Sequence, residues 1–239
     1  MIRVGTAGWT IPREARFWCA GTGSHLQRYA THFSCVEINS SFYRSHRRDT
    51  YARWASSVPS GFKFAVKCPR EITHERQLLR IDAPLKRFLD EIGGLGRARG
   101  PVLIQFAPSF EFRRTRVARF LERYRSLDRG PVVCEPRHPS WFTGEADSLL
   151  SHFHVGRVAA DPIRCAGAGL PGGWPALAYF RLHGSPRTYW TRYHIDFVAT
   201  LAHMLRAFPS RAQVWCIFDN TATGAAIENA RELLAALGP

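Results

Sequence analysis

The sequence has little lysine and few acidic residues, and this shortage bears on its possible partners. Lysine occurs only at Lys63, Lys67 and Lys86, so arginine supplies 30 of the 33 basic residues. With 19 acidic residues the net charge is +14, which favours attraction to nucleic acid or to phosphorylated substrates. The arginines are scattered along the chain, as a genome-wide compositional bias would also place them. Nucleic acid is therefore one possible partner, and compositional bias is the alternative explanation.

Several motifs with known chemistry are absent. No G-x-G-x-x-G follows the first apolar run, which argues against a dinucleotide-binding domain, and no P-loop is present. There is no H-E-x-x-H segment, and no two of the six cysteines have zinc-ligand spacing. Cys35, Cys134 and Cys216 lie in apolar runs, as expected of small buried side chains in a reducing compartment.

Long apolar segments are absent too. No run approaches the ~20 residues of a membrane span. Residues 1–5 enter an apolar run at once, without the pattern of a signal peptide. We therefore expect a soluble, cytoplasmic protein that makes no membrane contact. The sequence predicts no oligomeric state.

Short apolar runs alternate with helical patterns along the whole chain. Eight runs are typical of strands: 2–5, 35–39, 62–66, 101–106, 131–135, 156–160, 177–182 and 213–218. Helical patterns follow most of them, but a glycine- and proline-rich loop, 167–175, separates the sixth and seventh runs. Such alternation predicts an α/β fold with a parallel sheet. Eight units in 239 residues predict one domain, 1–239, folded as a single TIM-like (β/α)₈ barrel. A doubly wound open sheet is the structural alternative.

Polar residues stand at or just beyond the ends of these runs. Glu37, Lys67, Gln105, Glu135 and Arg181 are examples. In a (β/α)₈ barrel the carboxyl ends of all strands meet at one face, where barrel enzymes keep their active sites. Some polar residues that follow strands would instead cap the next helix; this alternative applies to Asn39, Asp161 and Asp219.

Five residues are predicted to be catalytic. A carboxylate in an apolar strand has a raised pKa unless it is paired, and Glu37 and Glu135 occupy such positions. Lys67 ends a strand in the same way and would be an ion-pair partner or an activated amine. His74 and His138 would act as acids opposite a carboxylate base. A divalent metal such as Zn, Mn or Fe would also suit a mixed set of imidazoles and carboxylates, although no local motif specifies one. That set is His74, His138, His183, Glu37, Glu135 and Asp161.

A second group of residues is predicted to bind substrate. Arg137 and Arg181, with Lys67, would hold a phosphate or a carboxylate. Aromatic residues near the strand ends would either wall a pocket for a sugar-like ligand or pack at the rim. The predicted substrate-binding residues are Trp9, Asn39, Tyr43, Gln105, Arg137, Trp141, Arg181, His183 and Asn220.

These segments carry a family resemblance that runs essentially from end to end. The matching segments are 5–9, 36–43, 62–69 with 72–74, 103–106, 135–142, 179–184 and 218–221 with Gly224 and Ala226. The chain resembles the YecE-like family, also called domain of unknown function 72. It departs from the family pattern at Ala107-Pro108, where Pro-Pro is expected. The resemblance implies a TIM-like barrel but no defined reaction. It also implies these pocket residues: Glu37, Tyr43, Lys67, His74, Gln105, Glu135, Arg137, His138, Arg181 and Asn220.

Three functions fit these observations. The first is an enzyme that uses acid/base or metal-assisted chemistry on a small anionic or sugar-like substrate. The second is a barrel that binds nucleic acid or processes it with a metal. The third is a barrel that binds a metabolite without turning it over.

Overall fold

The computed structural model describes residues 1–238, which form ten strands and seven helices besides short single turns. The strands are β1 (Ile2–Thr6), β2 (Cys35–Ile38), β3 (Lys63–Lys67), β4 (Arg99–Gln105), β5 (Val132–Glu135), β6 (Val155–Arg157), β7 (Ala159–Asp161), β8 (Gly172–Gly173), β9 (Leu177–Leu182) and β10 (Gln213–Phe218). The helices are α1 (His25–Tyr29), α2 (Arg48–Ser56), α3 (Asp82–Ile92), α4 (Arg114–Leu127), α5 (Gly144–His152), α6 (Ile195–Arg206) and α7 (Ala225–Leu237).

The strands form two sheets. One has the order β1-β10-β9-β7 and is parallel throughout. The other has the order β2-β3-β4-β5-β6-β8 and is parallel except for the antiparallel pair β6–β8. The predicted α/β fold with parallel strands is therefore confirmed.

The two sheets meet at two places. Ala7, just after β1, forms a parallel bridge with Glu37 of β2, and the Gly8 amide donates to the Glu37 carbonyl oxygen at 2.9 Å. On the other side, only Val158 separates β6 from β7, and its amide donates to the carbonyl oxygen of Cys134 in β5 at 2.8 Å. One continuous segment thus begins in the six-stranded sheet and ends in the four-stranded sheet.

A small apolar core lies between the two sheets and is distinct from the large core beneath the helices. Its buried members come from strands of both sheets: Cys35, Ala65, Leu103, Val133, Val158, Leu177, Tyr179, Trp215 and Ile217. Side chains alternate between the faces of a strand, so the residue two positions further along shares this face. Glu37 lies two residues after the core residue Cys35, and Lys67 lies two residues after Ala65. Their polar side chains are therefore next to the small core, on the same face of their strands.

Some local features depart from the sequence prediction. The glycine-rich loop contains the short strand β8, and the predicted sixth run is divided between β6 and β7. Helix α1 is only five residues long and is capped by Ser24, since the Gln27 amide donates to Ser24 Oγ at 3.3 Å. No helix within residues 1–238 is both long enough and apolar enough to span a bilayer.

The close approach of β1 and β2 requires glycine at position 5. A Cβ added to Gly5 would overlap the carbonyl oxygen of Cys35, which is fixed backbone. We predict that Gly5→Ala lowers the free energy of unfolding by about 1–3 kcal/mol, as overpacked sites do. Chemical denaturation measures the effect. The control is Gly144→Ala, because a Cβ there meets nothing within 4 Å. Equal stability of the two variants would contradict the close approach.

Candidate functional site

Arg181, near the end of β9, is surrounded by three carboxylates and is fully buried. Its Nε and Nη2 atoms donate to the two oxygens of Glu37 at 3.1 and 2.7 Å. Nη1 donates to Glu135 Oε2 at 2.7 Å, and Nη2 also donates to Asp219 Oδ2 at 3.0 Å. We call these four residues and His183 the Arg181 cluster. Arg181 and Asp219 come from the four-stranded sheet and its edge, whereas the two glutamates come from the six-stranded sheet, so the cluster joins both sheets.

Two neutral side chains donate further hydrogen bonds to the glutamates. The hydroxyl of Tyr179 donates to Glu37 Oε2 at 2.8 Å. Gln105 Nε2 donates to Glu135 Oε2 at 2.9 Å. Tyr179 and Arg181 alternate along β9 and therefore present their side chains to the same face. These bonds satisfy carboxylate oxygens that would otherwise be costly to bury.

His183 lies between two acceptors. Its Nδ1 is 3.0 Å from Asp219 Oδ2, and its Nε2 is 3.0 Å from Glu135 Oε1. Burial favours the neutral imidazole, but the neighbouring Glu135 and Asp219 carboxylates outweigh burial and raise the pKa of His183. Only the doubly protonated ring donates to both acceptors.

Two carboxylates of the cluster, Glu135 and Asp219, are held in their charged form. Burial would raise the pKa of Glu135, but Arg181 and His183 hold it well below its usual value. The pKa of Asp219 is lowered against the effect of burial by the same two partners. A carboxylate with a strongly lowered pKa is a weak proton acceptor near neutral pH. The geometry therefore favours a structural and electrostatic role for Glu135 over the predicted role of general base.

Lys67, the last residue of β3, differs from the cluster in having no ionic partner. It is 5% exposed, and its Nζ lies 4.2 Å from the centre of the Phe42 ring. Among residues 1–238, no carboxylate oxygen lies within 4 Å of this ammonium group. Burial and the charge of Arg181 lower the pKa of Lys67 to about 8, although Glu135 and Glu37 oppose the shift. A substantial fraction of Lys67 is therefore neutral just above physiological pH.

Two further polar side chains lie beside Lys67. Cys35–Ile38 pairs in register with Lys63–Val66, which brings the next residue, Asn39, level with Lys67. The Oδ1 atom of Asn39 is buried without a hydrogen-bond partner in the described structure. His74 packs edge-on against the same Phe42 ring at 5.0 Å, and its Nδ1 lies 2.8 Å from Thr73 Oγ1. Burial, with Lys67 and Arg137 nearby, lowers the pKa of His74.

Arg137 extends the positive charge toward solvent. Its Nη2 is 3.4 Å from Glu135 Oε1, and the side chain is partly exposed. Glu135, Arg137 and His183 also line a narrow cleft with ≈ 20 Å³ of accessible space, about the room that one water needs. The ring of Tyr189 packs edge-on against His183 at 5.8 Å. The cleft alone is thus too small for a metabolite.

Two of the predicted residues near β5 have structural contacts. His138 caps the turn Pro139–Trp141, because its Nδ1 accepts from the Ser140 amide at 3.3 Å. Trp141 is fully buried, stacks on Phe106 at 4.7 Å and donates to the Phe110 carbonyl oxygen at 2.9 Å. The structure does not place either side chain in the Arg181 cluster.

The remaining predicted residues lie around the site or behind it. Trp9 packs edge-on against Trp54 at 5.1 Å, and Tyr43 is 71% exposed. Asn220 is fully buried, and its Nδ2 donates to the Thr191 carbonyl oxygen and to Asn229 Oδ1, each at 3.0 Å. Sequence reasoning missed Tyr179 and gave Asp219 only a capping alternative; the alternation of polar residues with the buried core was the signal for both.

The geometry offers no ligand set for the predicted divalent metal. Within residues 1–238, no group of three or more His, Cys, Asp and Glu side chains is arranged to hold an ion. The guanidinium of Arg181 occupies the space between Glu37, Glu135 and Asp219. A metal ion could bind these carboxylates only if Arg181 moved away.

The raised pKa of His183 makes stability depend on pH. A group with a folded pKa above its unfolded value stabilises the protein fully below the unfolded pKa of ~6.5 and loses that effect as pH rises through the folded value. We predict that the free energy of unfolding declines as pH rises above 6.5 and that His183→Gln flattens this decline. Urea denaturation between pH 6 and 9 measures it. The control is His203→Gln, which removes an exposed histidine of α6 and should retain the wild-type slope; parallel curves for all three proteins would contradict the assignment.

Known proteins resemble this chain in sequence and in fold. UPF0759 protein YecE of Escherichia coli strain K12 is 29% identical over 177 residues, covering 70% of this chain and 62% of that protein. The match therefore spans less than two thirds of that relative. A crystal structure of a DUF72 family protein from Thermotoga maritima is 25% identical with a TM-score of 0.78, covering 98% of this chain and 97% of that one.

Another solved structure shares the fold at a lower sequence identity. A DUF72 family protein from Enterococcus faecalis V583 superposes with a TM-score of 0.83 at 22% identity, covering 99% of this chain and 95% of that one. The family model described as "Protein of unknown function DUF72" matches residues 3–239. The resemblance predicted from the sequence is confirmed, and the chain belongs to the DUF72 family.

Proposed function

We propose that the protein is an enzyme acting on a small anionic substrate, such as a sugar phosphate or a sugar acid, at Lys67. The observation that carries the proposal is the buried ammonium of Lys67, which has no ionic partner and a pKa of about 8. A buried cation without a partner is costly, so it favours an anionic ligand that supplies the missing charge.

The charges around Lys67 support an anion. The three carboxylates of the Arg181 cluster already bind Arg181, and His183 adds a second donor to two of them. Lys67 then has no carboxylate partner among the described residues, and Arg137 is only loosely held by Glu135 at 3.4 Å. An arginine beside a lysine suits a carboxylate or a phosphate. The unpartnered Oδ1 of Asn39 would accept from a hydroxyl of the same ligand.

The chemistry proposed for the site is proton transfer by Lys67. General acid/base catalysis is most effective when the pKa of the group is close to the working pH, and burial brings Lys67 near that range. His74, with its lowered pKa, would be the second proton-transfer group beside the same Phe42 ring. Burial and the charge of Arg181 would keep the Lys67 pKa low.

The fold that supports this site is proposed to be a single closed (β/α)₈-type barrel. The bridge from Ala7 to Glu37 and the continuous segment 155–161 join the two sheets on both sides. The small apolar core draws on strands of both sheets, as a barrel interior does. A cytoplasmic location is proposed as well, because all six cysteines are free thiols.

Replacing Lys67 tests the proposed binding site. We predict that Lys67→Met weakens binding of the anion by at least about tenfold, which is the loss of one charge-assisted hydrogen bond. Calorimetric titration against a panel of sugar phosphates, sugar acids and inorganic phosphate measures this. For the wild-type protein, affinity should fall as pH rises through about 8, because the amine loses its charge.

The matched control is Lys63→Met, since Lys63 lies at the opposite end of the same strand and donates to the Arg97 carbonyl oxygen. This variant should bind as wild type does. Identical affinities for the two variants, or no anion bound by the wild-type protein, would refute the site. Binding without turnover in any member of the panel would refute catalysis and leave a metabolite-binding protein.

A further inference from the structure

A second positively charged site lies away from the Arg181 cluster, in a groove between residues 78–82 and helix α4. We call it the α4 groove; its volume is ≈ 450 Å³. Five arginines line it: Arg80, Arg113, Arg116, Arg119 and Arg123. Asp82 is the single acidic residue of its lining and pairs with Arg123 at 2.5 Å. The lining therefore carries a clear excess of positive charge.

Most of these arginines lack ionic partners. Arg80, Arg116 and Arg119 form no ion pair with any residue of 1–238, and Arg113 is 3.7 Å from Glu111 outside the groove. Exposed arginines without an ionic partner in the described part of the chain occur elsewhere too, such as Arg13 and Arg16, whereas Arg48 pairs with Asp90 at 2.5 Å. What distinguishes the α4 groove is that five arginines share one lining with a single carboxylate.

The arginines form a row along α4. Positions 113, 116, 119 and 123 are spaced by three or four residues, so they share one helix face and extend over about 15 Å of the axis. Like charges at this spacing repel one another. The first turn of α4 contains no acidic residue, and its N-cap residue Arg113 makes no capping hydrogen bond, so positive charge meets the positive end of the helix dipole. The row is unfavourable for the helix alone, which is typical of a functional surface.

The opposite wall of the groove has an unusual backbone. Gln77, Leu78 and Arg80 have positive φ angles of 47, 67 and 51°, which non-glycine residues rarely adopt. This conformation buries Leu78 to 5% exposure and leaves Arg80 on the groove lining. Backbone strain of this kind persists mainly at functional sites.

We propose that the α4 groove binds the phosphate backbone of a nucleic-acid strand. A row of about 15 Å is longer than one phosphate group and matches a ligand in which phosphates repeat. Phe120, the aromatic residue of the lining, is 2% exposed and offers no ring for a base to stack on. Binding is therefore independent of base sequence and rests on phosphate contacts. The site is separate from Lys67 and does not depend on the proposed enzymatic function.

The test compares two double variants of the full-length protein. Arg116→Ala with Arg119→Ala removes two charges from the groove, and alanine preserves the helix. Arg13→Ala with Arg16→Ala removes two exposed arginines elsewhere and is the control. Fluorescence anisotropy measures binding of a labelled, mixed-sequence 12-nucleotide single strand at several salt concentrations. Thermal unfolding confirms that both variants are folded.

We expect the groove variant to bind the strand about tenfold more weakly at low salt and to lower the slope of log K against log[salt] by about 1.4, which corresponds to two phosphate contacts on a single strand. The control should bind within about twofold of the wild-type protein. Equal weakening in both variants, or no binding by the wild-type protein, would overturn the proposal. Binding of inorganic polyphosphate without binding of the oligonucleotide would also overturn it.

Discussion

The interaction on which the site depends is the enclosure of Arg181 by Glu37, Glu135 and Asp219. A buried guanidinium and buried carboxylates are each unfavourable alone, and they are tolerated only because they satisfy one another. Since the partners come from both sheets, the ion pairs fix how the strand ends lie relative to each other. His183, Tyr179 and Gln105 complete the network. The network is therefore a structural connection in which three carboxylates outnumber Arg181 and His183.

The pairing within the network, together with burial, explains the separation of roles among the polar residues. Arg181 and His183 lower the pKa values of Glu135 and Asp219 against the effect of burial, so these two carboxylates are weak proton acceptors. Lys67 shares the same buried surroundings but lacks a partner, and the same guanidinium lowers its pKa. One buried arginine thus helps to make Glu135 and Asp219 weak bases and, together with burial, makes Lys67 easier to deprotonate.

Much of this arrangement could be predicted from the sequence, because it follows from strand alternation. Glu37, Lys67, Glu135 and Arg181 stand at the ends of apolar runs, and the structure places all four close together. The partners of each charge could not be predicted, since the run pattern does not show which carboxylate meets Arg181. His138 and Trp141 follow a strand end in the same way, yet a turn directs one into a cap and the other into the core. Within a strand, the position in the sequence determines on which face of the sheet a side chain lies. Beyond the strand end, the conformation of the turn determines where the side chain points.

The segment 155–161 has a consequence for how the protein unfolds. Its first half pairs with β5 and its second half with β9, so the segment is hydrogen-bonded to both sheets. The two sheets can separate only if both this segment and the bridge at Ala7 break. The two sheets should therefore open as one cooperative unit, with slow hydrogen exchange across both rather than independent exchange in each.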